Sequence, residues 1–434
     1  MPPRTNPSGD SLAMTPYDDS HAVVTGSCLA CGSREIRTIL NLGEQVAANL
    51  LYLSQPEAPR LGLELAACRE CGHGQLTRQY SPTALFTDYL YASGTSQSLR
   101  SYFSGLGALL SQIPEVGNSL LELASNDGSF LLEAEKVGFT TVGIDPSSRM
   151  ARRARESGLV VHNSFWPNPL LEVHDQRLIV AQNVLAHVPE PLAFLEAVAN
   201  CLVSDGLALV QTSQLWMVPN GEFDTVYHEH FSYFSYNSLE QLSKRAGLLV
   251  SQPYQANVHG GSLVVLLSRS RKRLHSLHNQ LQSLLNLPNA ALAPLPRPPE
   301  PKEAEWLHFA VIAKERLEAF SATHASYLQR GYKMVLVGAA AKANTFLTAS
   351  RCKIDMIVDE ATDKVGLHAP NLDIQVDPLT SIATIEEPCM FILGAWNFRE
   401  ELIRKIRALR RDDRDIAVTY FPTLELTGLG NLVN

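Results

Sequence analysis

The four consecutive residues Tyr227, His228, Glu229 and His230 bring a phenol, two imidazoles and a carboxylate together in the chain. Side chains of these types move protons in enzymes. Histidine has an unperturbed pKa of about 6.5, so near pH 7 it is largely neutral and accepts a proton. The motif therefore predicts acid–base chemistry in which a histidine is the base.

Two CxxC pairs predict a metal site near the amino terminus. Cys28 and Cys31 form the first pair and Cys68 and Cys71 the second, and a glycine follows each pair. Such turns let two thiolates converge on one ion, and two of them complete the tetrahedral sulfur site that zinc prefers. Because four thiolates leave no coordination position open, we predict structural zinc, with redox-active or unrelated cysteines as the alternatives.

The length and composition of the chain predict a soluble protein of several domains. At 434 residues the chain exceeds one hydrophobic core, since domains usually span roughly 100–200 residues. Hydrophobic residues make up 45% and charged residues 18%, and no stretch is apolar enough to span a bilayer. The net charge of −8 argues against a broad nucleic-acid surface. Residues 1–20 are polar and lack a secretory signal, so we expect a disordered tail and a cytoplasmic protein.

The middle third of the sequence has the pattern of alternating strands and helices that would position the acid–base motif. Residues 118–126 form an apolar run that ends in polar residues, and a tight turn and the helical pattern FLLEAEKVG follow. The segments TTVGID, SSRMARRARESG and LVVHNSF continue the order β-α-β-α-β, which is typical of a doubly wound sheet. Asp145 ends the second strand, where an acidic residue accepts hydrogen bonds from ribose hydroxyls.

The turn after the first of these strands distinguishes between nucleoside cofactors. Dinucleotide-binding sheets carry GxGxxG there, whereas ELASNDGSF keeps one glycine, Gly128. S-adenosylmethionine has no pyrophosphate, so the turn predicts a site for this donor, with Glu122 or Asp127 facing its amino acid end. A nicotinamide oxidoreductase remains an alternative. Further residues assigned to the donor site are Asn126, Asn163, Phe165 and Asn183.

The last third predicts a second α/β unit. GYKMVLVGAAAKANTFLTAS has the pattern of a strand, a small-residue turn and a helix, and IDMIVDE and CMFILGAW predict further strands. Lys342 and Asn344 stand at the helix entry, where a lysine and free backbone amides bind a diphosphate. The segment ALAPLPRPPEPKE between the two α/β units predicts a poorly ordered, Pro-rich insert.

Several motifs resemble those of the sugar C-methyltransferases, which act on nucleotide-linked 4-keto-6-deoxy sugars in bacterial antibiotic pathways. They run in that family's order from about residue 26 to residue 400: LGEQVAAN, ELASNDGSFL, GIDPS, NVLAHVP, YHEHFSYFS, NVHGGS, AAAKANTF and AWNF. The resemblance implies a zinc-binding amino-terminal domain, a Rossmann-like donor domain, and a Rossmann-like carboxy-terminal domain that binds the nucleotide sugar.

The resemblance also implies roles for individual residues. His230 would be the base that removes the proton next to the sugar carbonyl, and Glu229 would orient or polarise it. Tyr227, His187 and Tyr91 would line the pocket and donate to the enolate oxygen. His228 stands where the family carries an acidic residue, so we do not expect it to be catalytic. The residues assigned to the acceptor are His259, Gly260, Lys342, Asn344, Trp396 and Asn397.

Three departures from the family pattern weaken the prediction of the acceptor. Val337 replaces an aromatic residue, Ala343 a glycine and Val264 an arginine. Loss of an arginine or an aromatic ring removes contacts that a diphosphate or a base could use. The alternatives are therefore another ketone-bearing acceptor, an O- or N-methyltransferase, and a non-catalytic zinc-bearing binding protein.

We thus predict an α/β protein with a Rossmann-like class I methyltransferase domain between an amino-terminal zinc-binding domain and a carboxy-terminal Rossmann-like domain. We expect a monomer that binds S-adenosylmethionine, structural zinc and a nucleotide sugar or related keto metabolite, and neither nucleic acid nor membrane. The predicted segments are a tail at 1–20, zinc domain at 21–85, methyltransferase domain at 86–270, helical linker with the Pro-rich insert at 271–328 and substrate domain at 329–434.

Overall fold

The computed structural model describes residues 23–53, 60–87, 89, 92–95, 97–285 and 290–430. The predicted disordered tail and Tyr91 lie outside these residues. No helix in the described ranges is both long and apolar enough to cross a bilayer.

The described chain contains twenty-two strands and eleven α-helices. The strands, in chain order, are β1 Val23–Val24, β2 Ile36–Gln45, β3 Leu61–Cys68, β4 Gly74–Leu76, β5 Arg78–Gln79, β6 Ser119–Leu123, β7 Thr140–Asp145, β8 Val161–Asn163, β9 Gln176–Gln182, β10 Leu202–Thr212, β11 Ser232–Tyr233, β12 Leu249–Val250, β13 Tyr254–Ala256, β14 Ser262–Ser268, β15 Ala293–Pro294, β16 Lys333–Val337, β17 Met356–Asp359, β18 His368–Ala369, β19 Ile374–Pro378, β20 Cys389–Leu393, β21 Ile416–Thr419 and β22 Glu425–Gly428. The helices are α1 Pro82–Phe86, α2 Gln97–Ser111, α3 Ser129–Lys136, α4 Ser148–Glu156, α5 Pro191–Cys201, α6 Met217–Asn220, α7 Tyr236–Arg245, α8 Arg271–Leu284, α9 Glu303–Gln329, α10 Ala341–Ser350 and α11 Arg399–Leu409.

The amino-terminal unit, residues 23–86, is built on a four-stranded sheet of order β11-β4-β3-β2. Strand β3 alternates fully buried leucines with half-buried residues, as expected for a strand with one face on a core. Strand β11 comes from the chain just after the acid–base motif, and Ser232 pairs with Gln75 of β4. The motif is therefore attached to the amino-terminal unit by sheet hydrogen bonds.

The four cysteines of the CxxC pairs converge at one end of this sheet. Their sulfur atoms all lie within 4.8 Å of one another, and the Cys28–Cys71 and Cys31–Cys68 pairs are each 3.6 Å apart. A tetrahedral zinc ion with bonds of 2.3 Å separates its sulfurs by about 3.8 Å. The geometry fits zinc, and zinc held there would cross-link the two turns.

The central unit, residues 97–270 together with β15 from the segment that follows, has a sheet of order β15-β13-β14-β10-β9-β6-β7-β8, with β12 paired to β14. Strands β10, β9, β6, β7 and β8 are parallel. Strands β6 and β9 are neighbours although β7 and β8 lie between them in the sequence, so the order reverses at this point. Ligands of doubly wound sheets bind at the carboxyl ends of the strands beside such a reversal.

The Pro-rich insert is ordered over residues 290–302, and the prediction of poor order is wrong for these residues. Ala293 and Pro294 form β15, which pairs with β13 at the edge of the central sheet. Leu292 and Leu295 are buried on either side of this strand. Proline is tolerated at a sheet edge because no further strand needs its missing N–H.

The carboxy-terminal unit, residues 330–430, has a sheet of order β18-β19-β17-β16-β20-β21-β22. Its parallel strands reverse their order between β16 and β20. A second switch point therefore lies at the carboxyl ends of these two strands. The two Rossmann-like sheets beside an amino-terminal cysteine unit confirm the predicted α/β fold class.

One hydrophobic core continues from the amino-terminal unit into the carboxy-terminal unit. Helix α9 crosses between them: Trp306 is buried and donates from its indole N–H to the Gly72 carbonyl at 2.9 Å. Further along the helix, Phe320 packs against Phe346 of α10 with ring centroids 4.8 Å apart. These contacts fix the zinc-binding turns and the second switch point relative to each other.

Zinc removal should destabilise the protein, because structural zinc contributes folding free energy directly. We expect Cys71→Ser to lose bound zinc and to lower the melting temperature by about 10 °C. Metal analysis and thermal unfolding measure both effects. Cys352→Ser, which changes a half-buried cysteine outside the cluster, is the matched control and should keep its zinc. Equal zinc content in the two variants would contradict the assignment.

Candidate active site

A cavity of about 800 Å³ lies where the carboxyl ends of the two parallel sheets face each other. Asn49 of the amino-terminal unit, residues of the central unit and residues of the carboxy-terminal unit all line it. The predicted site residues among its lining are Glu122, Asn126, Asp145, Phe165, Asn183, His187, Tyr227, His230, His259, Lys342 and Asn397. The structure therefore brings predicted donor, base and acceptor residues into one space.

The turn after β6 has the backbone of a glycine-rich loop with few glycines. Ala124, Asn126 and Gly128 have φ values of 58°, 51° and 76°. Glycine usually supplies such left-handed conformations, and alanine adopts them at a cost in strain. Ala124 and Asn126 line the cavity. In the sequence, the signal for this loop was that the three residues stand at alternate positions, because alanine and asparagine do not by themselves identify a glycine-rich turn.

Asp145 lies at the end of β7 and is nearly fully buried. One carboxylate oxygen accepts from the backbone N–H of Asn126 and the other from the backbone N–H of Ser147, each at 2.8 Å. Burial raises the pKa of Asp145 to about 6, and the two amides oppose that change. Each oxygen keeps a second lone pair, so the carboxylate can still accept the ribose hydroxyls of a nucleoside.

The donor wall is the part of the cavity lined by Glu122, Asn126, Asp145, Gln182 and Asn183. It contains buried oxygen atoms that have no hydrogen-bond partner among the described residues. Glu122 Oε2, Gln182 Oε1 and Asn183 Oδ1 have no hydrogen-bond partner among the described residues, although Gln182 donates to Glu122 Oε1 at 3.1 Å. Burial holds the pKa of Glu122 well above its ordinary value. Buried acceptors without donors are unfavourable, and a ligand ammonium group would satisfy them. The donor wall thus fits S-adenosylmethionine, whose amino acid end is cationic.

The ring of His230 is fixed in one tautomer. Nδ1 lies 2.8 Å from the Thr225 carbonyl oxygen, and because a carbonyl only accepts, Nδ1 carries the proton. Nε2 therefore has a lone pair, and it lies 3.1 Å from the Tyr227 hydroxyl. Both His230 and Tyr227 line the cavity. The arrangement presents a neutral, proton-accepting nitrogen to any ligand there.

His187 has the same tautomer, by the same reasoning. Its Nδ1 lies 2.5 Å from the carbonyl oxygen of Glu229 and must donate to it. The rings of His187 and His230 lie 4.8 Å apart. A neutral His187 has no proton on Nε2, so it cannot donate to an enolate oxygen as the sequence led us to expect. It can instead accept a hydrogen bond from an acceptor hydroxyl.

Burial keeps the histidines of the site uncharged. It lowers the pKa of His187, His228 and His259 to about 4, and Lys342 lowers that of His259 further. The pKa of His230 is well below its ordinary value because of burial and the neighbouring His187. All four imidazoles are therefore neutral at pH 7.

Glu229 does not contact His230 through its carboxylate. Its Oε1 accepts from the backbone N–H of Asn49 at 2.8 Å, so the carboxylate contacts the amino-terminal unit. The Thr225 carbonyl performs the orienting role that we predicted for Glu229. Sequence reasoning missed Thr225 because a main-chain carbonyl leaves no signature in residue types.

The carboxy-terminal wall carries two lysines. Lys342 lies over the Trp396 ring with its ammonium nitrogen 4.7 Å from the centroid, a cation–π contact that holds its side chain. Lys364, which the sequence did not suggest, also lines the cavity and donates to the Ala339 carbonyl and to Asp359 at 2.9 and 3.2 Å. Because Lys364 is ion-paired with Asp359, Lys342 rather than Lys364 offers positive charge to an anionic acceptor.

Several predicted residues support the site from outside the cavity. Asn344 is buried and donates to the Ala48 carbonyl at 3.3 Å, so it does not face a diphosphate. Trp396 donates to Asp224 at 2.8 Å. Asn163 donates to the carbonyls of Asp145 and Pro146 and so fixes the end of β7. The remaining predicted residues that do not line the cavity are Glu229, Asp127, Gly128 and Gly260.

The three departures from the family pattern are core positions. Val264, Val337 and Ala343 are all at most 2% exposed, and none lines the cavity. They therefore do not remove a contact to the acceptor directly.

Three family models match successive parts of the chain. A zinc binding domain matches residues 28–86, a methyltransferase domain residues 96–252, and a C-methyltransferase C-terminal domain residues 257–422. Among curated proteins, the C-methyltransferase NovU of Streptomyces niveus is 30% identical over 249 residues. This match covers 55% of the chain and 59% of NovU, so the chain spans less than two thirds of that relative.

Two solved structures are among those that are similar to part of the chain. The complex of the Haloferax volcanii Trm112 methyltransferase activator with a methyltransferase is 15% identical, covering 40% of this chain and 90% of that one with a TM-score of 0.35. The PH0226 protein of Pyrococcus horikoshii is 19% identical, covering 42% and 95% with a TM-score of 0.35. The chain is therefore similar to C-methyltransferases over three successive segments, which match a zinc binding domain, a methyltransferase domain and a C-methyltransferase C-terminal domain.

Proposed function

We propose that this protein is an S-adenosylmethionine-dependent C-methyltransferase of a nucleotide-linked keto-deoxy sugar. His230 would remove the proton next to the ketone, and the resulting enolate carbon would take the methyl group. The observation that supports this most is the lone pair of His230 Nε2 in a cavity that Asp145 of the central unit and Lys342 of the carboxy-terminal unit also line.

Residues of the central unit would bind the donor. Asp145 would accept the ribose hydroxyls, and the oxygens of Glu122, Gln182 and Asn183 would accept N–H groups of the donor. When bound, S-adenosylmethionine supplies an electrophilic methyl group. Because the cavity is continuous from Asp145 to His230, one molecule can occupy the donor wall while an acceptor lies beside the base.

The base step follows from the fixed tautomer of His230. Nε2 would take the proton from the carbon next to the ketone, and the electron pair of that C–H bond would move onto the carbonyl oxygen to give an enolate. The Thr225 carbonyl would then hydrogen-bond an imidazolium through Nδ1, which stabilises the charge that forms. The Tyr227 hydroxyl, released from Nε2, would donate to the enolate oxygen.

The carboxy-terminal wall of the cavity supports an anionic nucleotide sugar as the acceptor. Lys342 of the carboxy-terminal unit lines the cavity, and lysines bind diphosphates as point charges. The sugar class itself comes from the motif resemblance, and the name of the relative NovU adds carbon as the methylated atom.

Replacing the base should separate chemistry from donor binding. We expect His230→Ala to lower kcat by about a thousandfold, because a general base contributes roughly 10²–10⁴ in rate. Enzyme-dependent exchange of deuterium from solvent into the carbon next to the ketone should also stop, while the Kd for S-adenosylmethionine stays within a factor of about two. His275→Ala, an exposed histidine of α8, is the control. Absence of exchange in the wild type would contradict an enolate mechanism and favour O- or N-methylation.

Buried neutral histidines should also make stability depend on pH. His228 has a folded pKa of about 4 against an ordinary 6.5, so its contribution is complete above pH 6.5 and is lost as the pH falls toward 4. His228→Gln keeps a donor for the Leu61 carbonyl, which accepts from His228 Nε2 at 3.0 Å. When the pH falls from 8 to 5, we expect the unfolding free energy of the wild type to decrease by about 2 kcal/mol more than that of His228→Gln.

Denaturant unfolding at both pH values measures this difference. The comparison with wild type is necessary because burial raises the pKa of Glu229 to about 7. Its raised pKa weakens the fold as the pH rises from 4.5 toward 7, which opposes the effect of the histidine. A stability difference that does not change with pH would show that His228 is not held neutral.

A further inference from the structure

A loop of the amino-terminal unit enters the cavity beside the base. It follows β2 and includes Val46, Ala47 and Ala48, which are at most 9% exposed, and then Asn49, which lines the cavity. The loop has no regular secondary structure. Loops usually run over protein surfaces because their polar backbone needs water, so the buried position of this loop must be supported by other contacts.

Two consecutive residues of the acid–base motif in the central unit, His228 and Glu229, make hydrogen bonds to this loop and to the strand pair that flanks it. The Glu229 carboxylate accepts from the backbone N–H of Asn49 at 2.8 Å. His228 lies 3.0 Å from the Leu61 carbonyl, and Leu61 is the partner of Gln45 at the end of the β2–β3 pair. Asn49 is therefore tied to the residue that directly precedes His230.

The carboxy-terminal unit holds the same loop from the other side. Asn371 accepts from the Val46 amide at 2.8 Å and donates to the Val46 carbonyl at 3.0 Å. Asn344 donates to the Ala48 carbonyl at 3.3 Å and accepts from Asn371 at 3.2 Å. Contacts from two units thus fix the backbone that leads to Asn49.

We propose, resting on the function above, that Asn49 is a specificity-determining residue that hydrogen-bonds a polar group of the acceptor next to the carbon that His230 deprotonates. The Asn49 side chain makes one hydrogen bond to Glu229, and the rest of its amide still offers a donor and an acceptor, which suits the hydroxyl and carbonyl groups of a keto sugar. Glu229 and Asn371 are positioning residues that act through Asn49. The zinc-binding unit therefore supplies part of the acceptor site.

Asn49→Ala tests this role with a thymidine-diphosphate-linked 4-keto-6-deoxyhexose as the acceptor probe and the full chain with its zinc. We expect the KM for the probe to rise at least tenfold, because a buried polar group of the acceptor loses its partner. The KM for S-adenosylmethionine and the zinc content should not change. Asn41→Ala, an exposed asparagine of β2, is the matched control and should behave as wild type.

Asn371→Ala tests the positioning of the loop from outside the cavity. We expect it to raise the KM for the probe about threefold or more with kcat within a factor of two, because the hydrogen bonds to Val46 that place Asn49 are lost while the reacting groups are untouched. Asn371→Asp keeps the oxygen that accepts from the Val46 amide, so it should restore part of the loss. A purely structural role of Asn371 would instead lower stability with no selective change in the KM for the probe.

The outcomes separate this proposal from the function on which it rests. A wild type that methylates the probe, with an unchanged KM in Asn49→Ala, overturns the role of Asn49 and leaves the function intact. A wild type that neither binds nor methylates the probe overturns the function for this acceptor class and the role of Asn49 with it. If Asn49→Ala does not fold, Asn49→Ser is measured in the same way, and an unchanged KM there overturns the proposal.

Discussion

The hydrogen bond from His230 Nδ1 to the Thr225 carbonyl is the contact on which the site depends. It holds the ring in place and leaves a lone pair on Nε2, because a carbonyl oxygen has no proton to give. The Thr225 carbonyl is in turn fixed by the short helical turn Phe223–Thr225. Phe223 of that turn packs against Phe346 of the carboxy-terminal unit. The orientation of the base thus depends on how the units pack together.

The same packing explains why three units are needed for one reaction. In the proposed reaction, the central unit supplies the donor site and His230 as the base, the carboxy-terminal unit supplies Lys342, and the amino-terminal unit supplies Asn49, all of which line one cavity. An Arg149–Asp363 ion pair at 2.7 Å adds a link between the helix after Asp145 and the loop of Lys364. Donor and acceptor walls are therefore held at a fixed separation, which favours reactions that require aligned groups.

The sequence predicted the parts of this arrangement that depend on local patterns. The CxxC pairs, the acidic end of β7 and the YHEH motif each lie where their spacing indicated. Contacts between distant segments were not predictable from such patterns: the Thr225 carbonyl has no side-chain signature, and the Asn49 loop lies 180 positions from Glu229. The edge pairing of β15 was missed because its partner β13 lies about forty residues away, while proline content alone suggested disorder.

The central claim is that His230 is neutral, with its proton on Nδ1. Nitrogen-15 NMR of the protein labelled at histidine measures this directly, and the signals of His230 are identified by their loss in His230→Gln. At pH 7 we predict a protonated Nδ1 and an unprotonated Nε2, because burial and the neighbouring His187 hold the pKa of His230 well below its ordinary value. A proton on Nε2, or an imidazolium at pH 7, would contradict the account.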